Sequence, residues 1–107
     1  MVGGSKVKIL VVEDDEAFRG MICESPVFSS QGYSVVEAEN GVAAVETLRT
    51  YNDGISGVIT DMDMPGGNGE LVIQELNSGR YGAIPLVVIS SREPQTEYTA
   101  GVRYYLE

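Results

Sequence analysis

The sequence predicts an α/β domain: a parallel sheet covered by helices on both faces. Short apolar runs of strand length alternate along the chain with segments of helical period, the pattern of repeated βαβ units. The runs are nearly continuous in apolar residues, as in strands buried on both faces. A third observation points to a site. The run Val58-Ile59-Thr60 stops at Asp61, followed by Asp63, Pro65 and a glycine-rich turn. Asp61 therefore sits at the carboxyl end of a strand, where open α/β sheets bind ligands. Asp also caps turns without any other role, so the rest of the chain has to decide between the two.

At 107 residues the chain has the size of one small domain. Sixteen acidic against seven basic residues give a formal charge of −9. That balance argues against binding nucleic acid through its phosphates, which takes clustered Lys and Arg. It suits a protein that gathers carboxylates around a cation, although a solvated acidic surface explains most of the charge. Cys23, the single cysteine, excludes an internal disulfide and fits a reducing, cytoplasmic setting. No apolar run reaches membrane-spanning length, and the start lacks a signal-peptide pattern. Residues 1–5 read as a flexible tail, and the domain runs from 6 to 107.

The first strand is Val7 to Val12, interrupted only by Lys8. It ends in Glu13-Asp14-Asp15-Glu16, four adjacent acids that repel one another unless a cation or a helix N-terminus compensates. Asp15 is placed to cap the helix that follows, with Glu16 in its first turn. That leaves Glu13 and Asp14 at the strand's end. The first helix runs from Ala17 to Glu24 with Phe18, Met21 and Ile22 on one face. Pro26 breaks or kinks it, with Val27 and Phe28 expected to pack inward before Gln31-Gly32 stops the element. Tyr33 to Val36 is the second strand. Asn40-Gly41 opens a second helix lined by Val42, Val45 and Leu48, with Ala44 beside them, and Asn52-Asp53-Gly54 ends it. Gly57 to Thr60 is the third strand. Asn68 caps a third helix carrying Leu71, Val72, Ile73 and Leu76, which Ser78-Gly79 terminates. Pro85 leads the fourth strand, Leu86 to Ile89, ending at Ser90. A short helix starts near Pro94, Gly101 closes it, and Tyr104 to Leu106 is the last strand.

With strand order 2-1-3-4-5, strands one and three are neighbours about 4.8 Å apart. The switch point of such a sheet lies between them. Glu13, Asp14 and Asp61 then share one cleft, and Ser90 reaches its rim from strand four. Clustered carboxylates raise one another's pKa unless a hard cation holds them ionised. An all-oxygen set with access to water suits Mg²⁺. A carboxylate can also attack phosphorus to give an aspartyl phosphate, with the cation offsetting charge on the phosphoryl oxygens.

These residues, read together, resemble a receiver domain of a two-component response regulator. The match is carried by Ile9-Leu10-Val11-Val12-Glu13-Asp14-Asp15, by Glu37-Ala38 with Asn40-Gly41, and by Asp61 with Met64-Pro65-Gly66 and Gly69. Pro85 through Ser90 and Ala100-Gly101 with Tyr105-Leu106 complete it, from about Lys6 to Glu107. Each motif alone is weak, but the ordered set is specific. The resemblance implies a flavodoxin-like, doubly wound five-stranded sheet. It implies that Asp61 is the phospho-acceptor and also touches Mg²⁺. Asp14 would ligate the metal directly, Glu13 through water, and Asp63 through its backbone carbonyl. Ser90 would be the switch hydroxyl and Tyr105 the switch aromatic. The donor would be a phosphohistidine on a histidine kinase or histidine phosphotransfer protein, which makes the chain a signalling domain and not an enzyme. In receivers the positions of Asp63 and Arg92 flank the attacking water, and here they carry opposite charges.

The resemblance has gaps. The family's lysine follows the last strand, whereas this sequence ends at Glu107 and has only Lys6 and Lys8. The final helix is likewise absent from the sequence, which would leave one sheet face partly uncovered and open to homodimerisation. The segment 91–100 is short for the fourth helix. Two rival readings follow from the same residues. Asp61-Met62-Asp63 matches the Asp-x-Asp nucleophile and acid of haloacid-dehalogenase-like phosphatases, but those need a lysine and acids downstream, and here the acids lie upstream. A receiver-shaped module that is never phosphorylated fits the missing lysine but not the intact acids and hydroxyl.

Overall fold

The computed structural model describes residues 7–51, 54–61, 69–89 and 104–106. Its strands are β1 (Lys8–Val12), β2 (Ser34–Ala38), β3 (Gly57–Asp61), β4 (Leu86–Ile89) and β5 (Tyr104–Leu106). They form one parallel sheet in the order β2-β1-β3-β4-β5. The helices are α1 (Glu16–Cys23), α2 (Pro26–Ser30), α3 (Gly41–Tyr51) and α4 (Gly69–Leu76). The strand order sets β1 against β3, with Val12 opposite Thr60. The residues that follow these two strand ends are thereby brought side by side.

The alternation of side chains along each strand divides the interior. Leu10 and Val12 of β1, Val58 of β3, and Leu86 and Val88 of β4 point to the side of α3 and α4. There they meet Ala44, Leu48, Val72 and Ile73 in one buried cluster. On the opposite side, among the described strand residues, Val11 and Gly57 are buried, while Ile9, Val35, Ile59, Val87 and Ile89 are half-buried. The sequence expectation that β1 is buried on both faces holds at Leu10 to Val12 and not at Ile9.

Local signals mark the element ends. Asp15 caps α1, its Oδ1 accepting the Phe18 N–H at 3.0 Å. Asn40 opens α3 by accepting the Ala43 N–H at 2.8 Å. Pro26 begins α2 as a separate short helix, where the pyrrolidine ring is tolerated. Gly32 and Gly79 take positive φ angles of 74° and 86° beyond α2 and α4, a conformation that a side chain disfavours. β2 runs on to Ala38, two residues beyond its expected end, and β3 includes Asp61. The cap at Asn68, the helix near Pro94 and the segment 1–5 lie outside the described residues.

Three helical faces differ from the sequence reading. In α3, Val42 is 57% exposed, and the sheet is met by Gly41, Ala44 and Leu48. The two small residues let the helix axis come close, and Val42, about 100° round from Gly41, is turned out. In α1, Phe18 and Met21 are exposed by 37% and 70%. Apart from Gly20, the half-buried positions are Arg19, Ile22 and Cys23, an i, i+3, i+4 set. Arg19 is tied to polar groups below the helix, as described in the next subsection, and that anchor sets the helix rotation. In α2, Val27 is 63% exposed and only Phe28 turns partly inward, because five residues form little more than one turn.

A buried carboxylate locks α3 to α4. Glu75, 7% exposed, accepts from Arg49 Nε and Nη2 at 3.0 Å each and from the Tyr81 hydroxyl at 2.6 Å. Arg49 holds its pKa below the usual carboxylate range despite burial, with Tyr81 assisting. Burial first, then the Glu75 carboxylate, pushes the Tyr81 phenol up to about 12. Tyr81→Phe should destabilise the fold by about 1.5–3 kcal/mol, as expected for a hydrogen bond to a charged, buried acceptor. Urea unfolding of the variant and wild type checks this, and a loss within error would show that Arg49 alone satisfies Glu75.

Candidate functional site

Glu13 follows directly on β1, and its N–H continues the ladder to β2 by donating to the Ala38 carbonyl at 3.0 Å. The chain then turns through Asp14 into the Asp15 cap of α1. Within this turn the Asp15 N–H donates to Glu13 Oε2 at 3.0 Å. Asp61 ends β3 on the neighbouring strand. One carboxylate oxygen from each of Glu13, Asp14 and Asp61 lies within 4.8 Å of the others.

Glu13 is only 2% exposed, and its Oε1 is a buried acceptor with no hydrogen-bond partner. A buried oxygen without a donor is costly, and the Asp14 and Asp61 carboxylates grouped with Glu13 are acceptors too when ionised. Burial raises the Glu13 pKa most, and the Asp61 and Asp14 carboxylates add to the rise against the opposing Asp15 N–H, so it is pushed up to about 8. A proton on Glu13 or a cation among the three acids relieves this conflict. The donor set is oxygen only and lies at the open end of a sheet, which fits a hard divalent ion such as Mg²⁺.

Arg19 completes the surroundings. Its Nη1 donates to the Glu13 carbonyl at 2.7 Å, and its Nε donates to Glu37 Oε1 of β2 at 2.8 Å. Sequence reasoning gave Arg19 no role. A single arginine on an amphipathic helix carries no local signal, and its carbonyl partner becomes visible only once α1 is laid over β1.

Of the residues singled out in the sequence, Glu13, Asp14 and Asp61 are brought together as expected. Asp63, Ser90 and Arg92 lie outside the described residues. Tyr105 is in β5, opposite Val88 of β4, and its side chain is outside what is described.

The raised pKa has a definite sign. The folded chain holds on to a Glu13 proton that the unfolded chain releases near 4.5. The metal-free protein should therefore lose stability as pH rises from 4.5 to about 8. Urea midpoints across that window, in chelator, should fall for wild type relative to Glu13→Gln. Mg²⁺ affinity should rise over the same window, because the ion displaces the proton. Parallel midpoints for the two proteins would remove Glu13 as the titrating group.

The sequence matches the family described as the response regulator receiver domain over residues 9–106. It is 37% identical over 106 residues to the chemotaxis protein CheY1 of Helicobacter pylori, covering 94% of this chain and 83% of that one. It is 35% identical over 96 residues to the response regulator MprA of a Mycobacterium species, covering 90% of this chain but only 40% of that protein. Among solved structures, a CheY-like receiver domain from Methylobacillus flagellatus superposes with a TM-score of 0.79 at 22% identity, over 96% of this chain and 86% of that one. The response regulator TrrA of Thermotoga maritima, solved in complex with Mg(2+)-BeF, superposes with a TM-score of 0.78 at 24% identity, over 94% and 84%. The fold, the paired strand ends and these matches together establish that this chain belongs to the response regulator receiver domain family.

Proposed function

We propose that this chain accepts a phosphoryl group on Asp61 from a phosphohistidine of a histidine kinase or histidine phosphotransfer protein, with Mg²⁺ held by Glu13, Asp14 and Asp61. The observation that carries the reading is the convergence of the Glu13, Asp14 and Asp61 carboxylates, one of which keeps a buried oxygen that lacks a donor. A site built only to cap turns would not bury an acceptor against two more. The backbone carbonyl of Asp63 would complete the protein's share of the ligands. The cytoplasm, where such kinases present their phosphohistidine, is the proposed compartment.

In the transfer, an Asp61 carboxylate oxygen forms a bond to phosphorus as the bond from phosphorus to the imidazole nitrogen breaks. The imidazole leaves as the neutral ring after taking a proton. Mg²⁺, when bound, supplies charge stabilisation for the phosphoryl oxygens. Asp14 and Glu13 contribute fixed negative charge that selects a divalent ion. Thr60, fully buried beside Asp61 at the end of β3, helps fix the backbone that carries the nucleophile. Ser90 would donate its hydroxyl to the phosphoryl group and Tyr105 would follow, which transmits the change to a partner surface. The Mg(2+)-BeF complex of the Thermotoga protein is in keeping with this assignment.

Incubation with a small phosphodonor and Mg²⁺, followed by intact mass measurement, tests the reading. Wild type should gain one phosphoryl group, and both Asp61→Asn and omission of Mg²⁺ should abolish the gain. Asp14→Asn should also weaken Mg²⁺ binding sharply. Continuous release of phosphate from a generic ester would instead support the phosphatase reading. Unmodified mass with intact Mg²⁺ binding would support a module that works without phosphorylation.

A further inference from the structure

We propose that Arg19 is a positioning residue for the magnesium site: by holding the Glu13 carbonyl it keeps the Glu13 carboxylate aimed at Asp14 and Asp61. The inference rests on the metal-binding reading above and adds a residue outside the acid cluster to it.

The polar groups of Glu13 are almost fully committed. Its N–H donates to the Ala38 carbonyl at 3.0 Å, its carbonyl accepts from Arg19 Nη1 at 2.7 Å, and its Oε2 accepts the Asp15 N–H at 3.0 Å. Only Oε1 is left without a partner, in a carboxylate that lies within 4.8 Å of those of Asp14 and Asp61. The sheet fixes the Glu13 N–H through β2. Past the end of β1 the guanidinium of Arg19 holds the Glu13 carbonyl. Arg19 is in turn braced by Glu37 at 2.8 Å, with its own side chain only 15% exposed. A planar guanidinium can hold both partners at once, whereas an ammonium is a single point donor. The bracing runs from β2 through α1 to the end of β1, and it fixes Glu13 before any ion arrives.

The proposal separates cleanly from a plain charge effect. Arg19 is a cation bonded to the backbone of a residue whose carboxylate would bind another cation. If it acted only by charge, removing it would tighten Mg²⁺ binding. If it acts by positioning, removing it weakens binding, since groups that orient metal ligands typically contribute about 10–100-fold in affinity. If it merely supports the fold, the melting temperature falls and the affinity of the folded protein stays put.

Mg²⁺ affinity is measured by titration calorimetry at a temperature where circular dichroism shows each protein folded. Arg19→Met, which keeps the length of the stem, is expected to bind about tenfold more weakly. Arg19→Lys, which keeps the charge, should also lose affinity. Glu37→Ala, which leaves the bond to the Glu13 carbonyl in place, should lose less than Arg19→Met. If Arg19→Met does not fold, the Lys and Glu37 variants carry the test, since a charge effect leaves Arg19→Lys at the wild-type value. Unchanged or tighter binding in both Arg19 variants, with Asp14→Asn still impaired, overturns the role of Arg19 alone. Absence of Mg²⁺ binding by the wild-type chain overturns the metal site and this inference with it.

Discussion

The mutual repulsion of Glu13, Asp14 and Asp61 is the constraint around which this end of the molecule is built. A parallel sheet with β1 beside β3 brings their carboxyl ends together, and the sequence puts an acid at each. Left alone, such a cluster drives protons onto its members or opens the structure. The chain does not dilute the charge by spreading the acids apart. It fixes them with hydrogen bonds, through the Asp15 N–H on one Glu13 oxygen and Arg19 on the Glu13 carbonyl, and leaves the other oxygen bare. What remains is a deficit that a small divalent cation fits.

Holding that arrangement needs a rigid backing, and the two sides of the sheet provide it differently. On the side of α3 and α4 the backing is apolar and closed, with Leu10, Val12, Val58, Leu86 and Val88 packed beneath the helices. Glu75 adds a polar lock there, and because Arg49 and Tyr81 satisfy its carboxylate, it does not compete with the acids of the site. On the side of α1 the contact is thinner. No residue of α1 is buried, and the helix is held by its Asp15 cap and by Arg19 more than by apolar area. The two strand ends therefore sit between a firm core and a helix attached by polar bonds.

Much of this was legible in the sequence. Continuous apolar runs gave the strands, and β4 was located to the residue because Pro85 marks its start. The strand-end acids were legible as a set and not singly: one Asp after an apolar run can simply cap a turn, whereas Glu13, Asp14 and Asp61 at the ends of adjacent strands point to a site. The misread helical faces share a cause. Hydrophobicity places Phe18, Met21 and Val42 inward, yet the packing rotates each helix on something other than its largest apolar residue. In α1 that pivot is an arginine, and in α3 it is Gly41 and Ala44, whose small size allows close approach. Neither the Arg19 contact to a backbone carbonyl nor the pairing of Glu75 with Arg49, 26 residues apart, has a sequence signature. Both depend on distances that exist only after folding.

The length of Glu13 links the site to the helix beside it. A carboxylate bonded to the N–H two residues ahead while lying within 4.8 Å of the Asp61 carboxylate needs the reach that glutamate's extra methylene provides. The same Asp15 whose N–H holds Glu13 Oε2 uses its own side chain to cap α1. Arg19, one turn into α1, returns to the Glu13 carbonyl. Three hydrogen bonds thus close a loop from strand end to helix cap to helix body and back. Any force that shifts Glu13 is felt at the start of α1, and any rotation of α1 is felt at Glu13. A cation held by the acid cluster, as proposed, would thus be joined to the first helix through these three bonds.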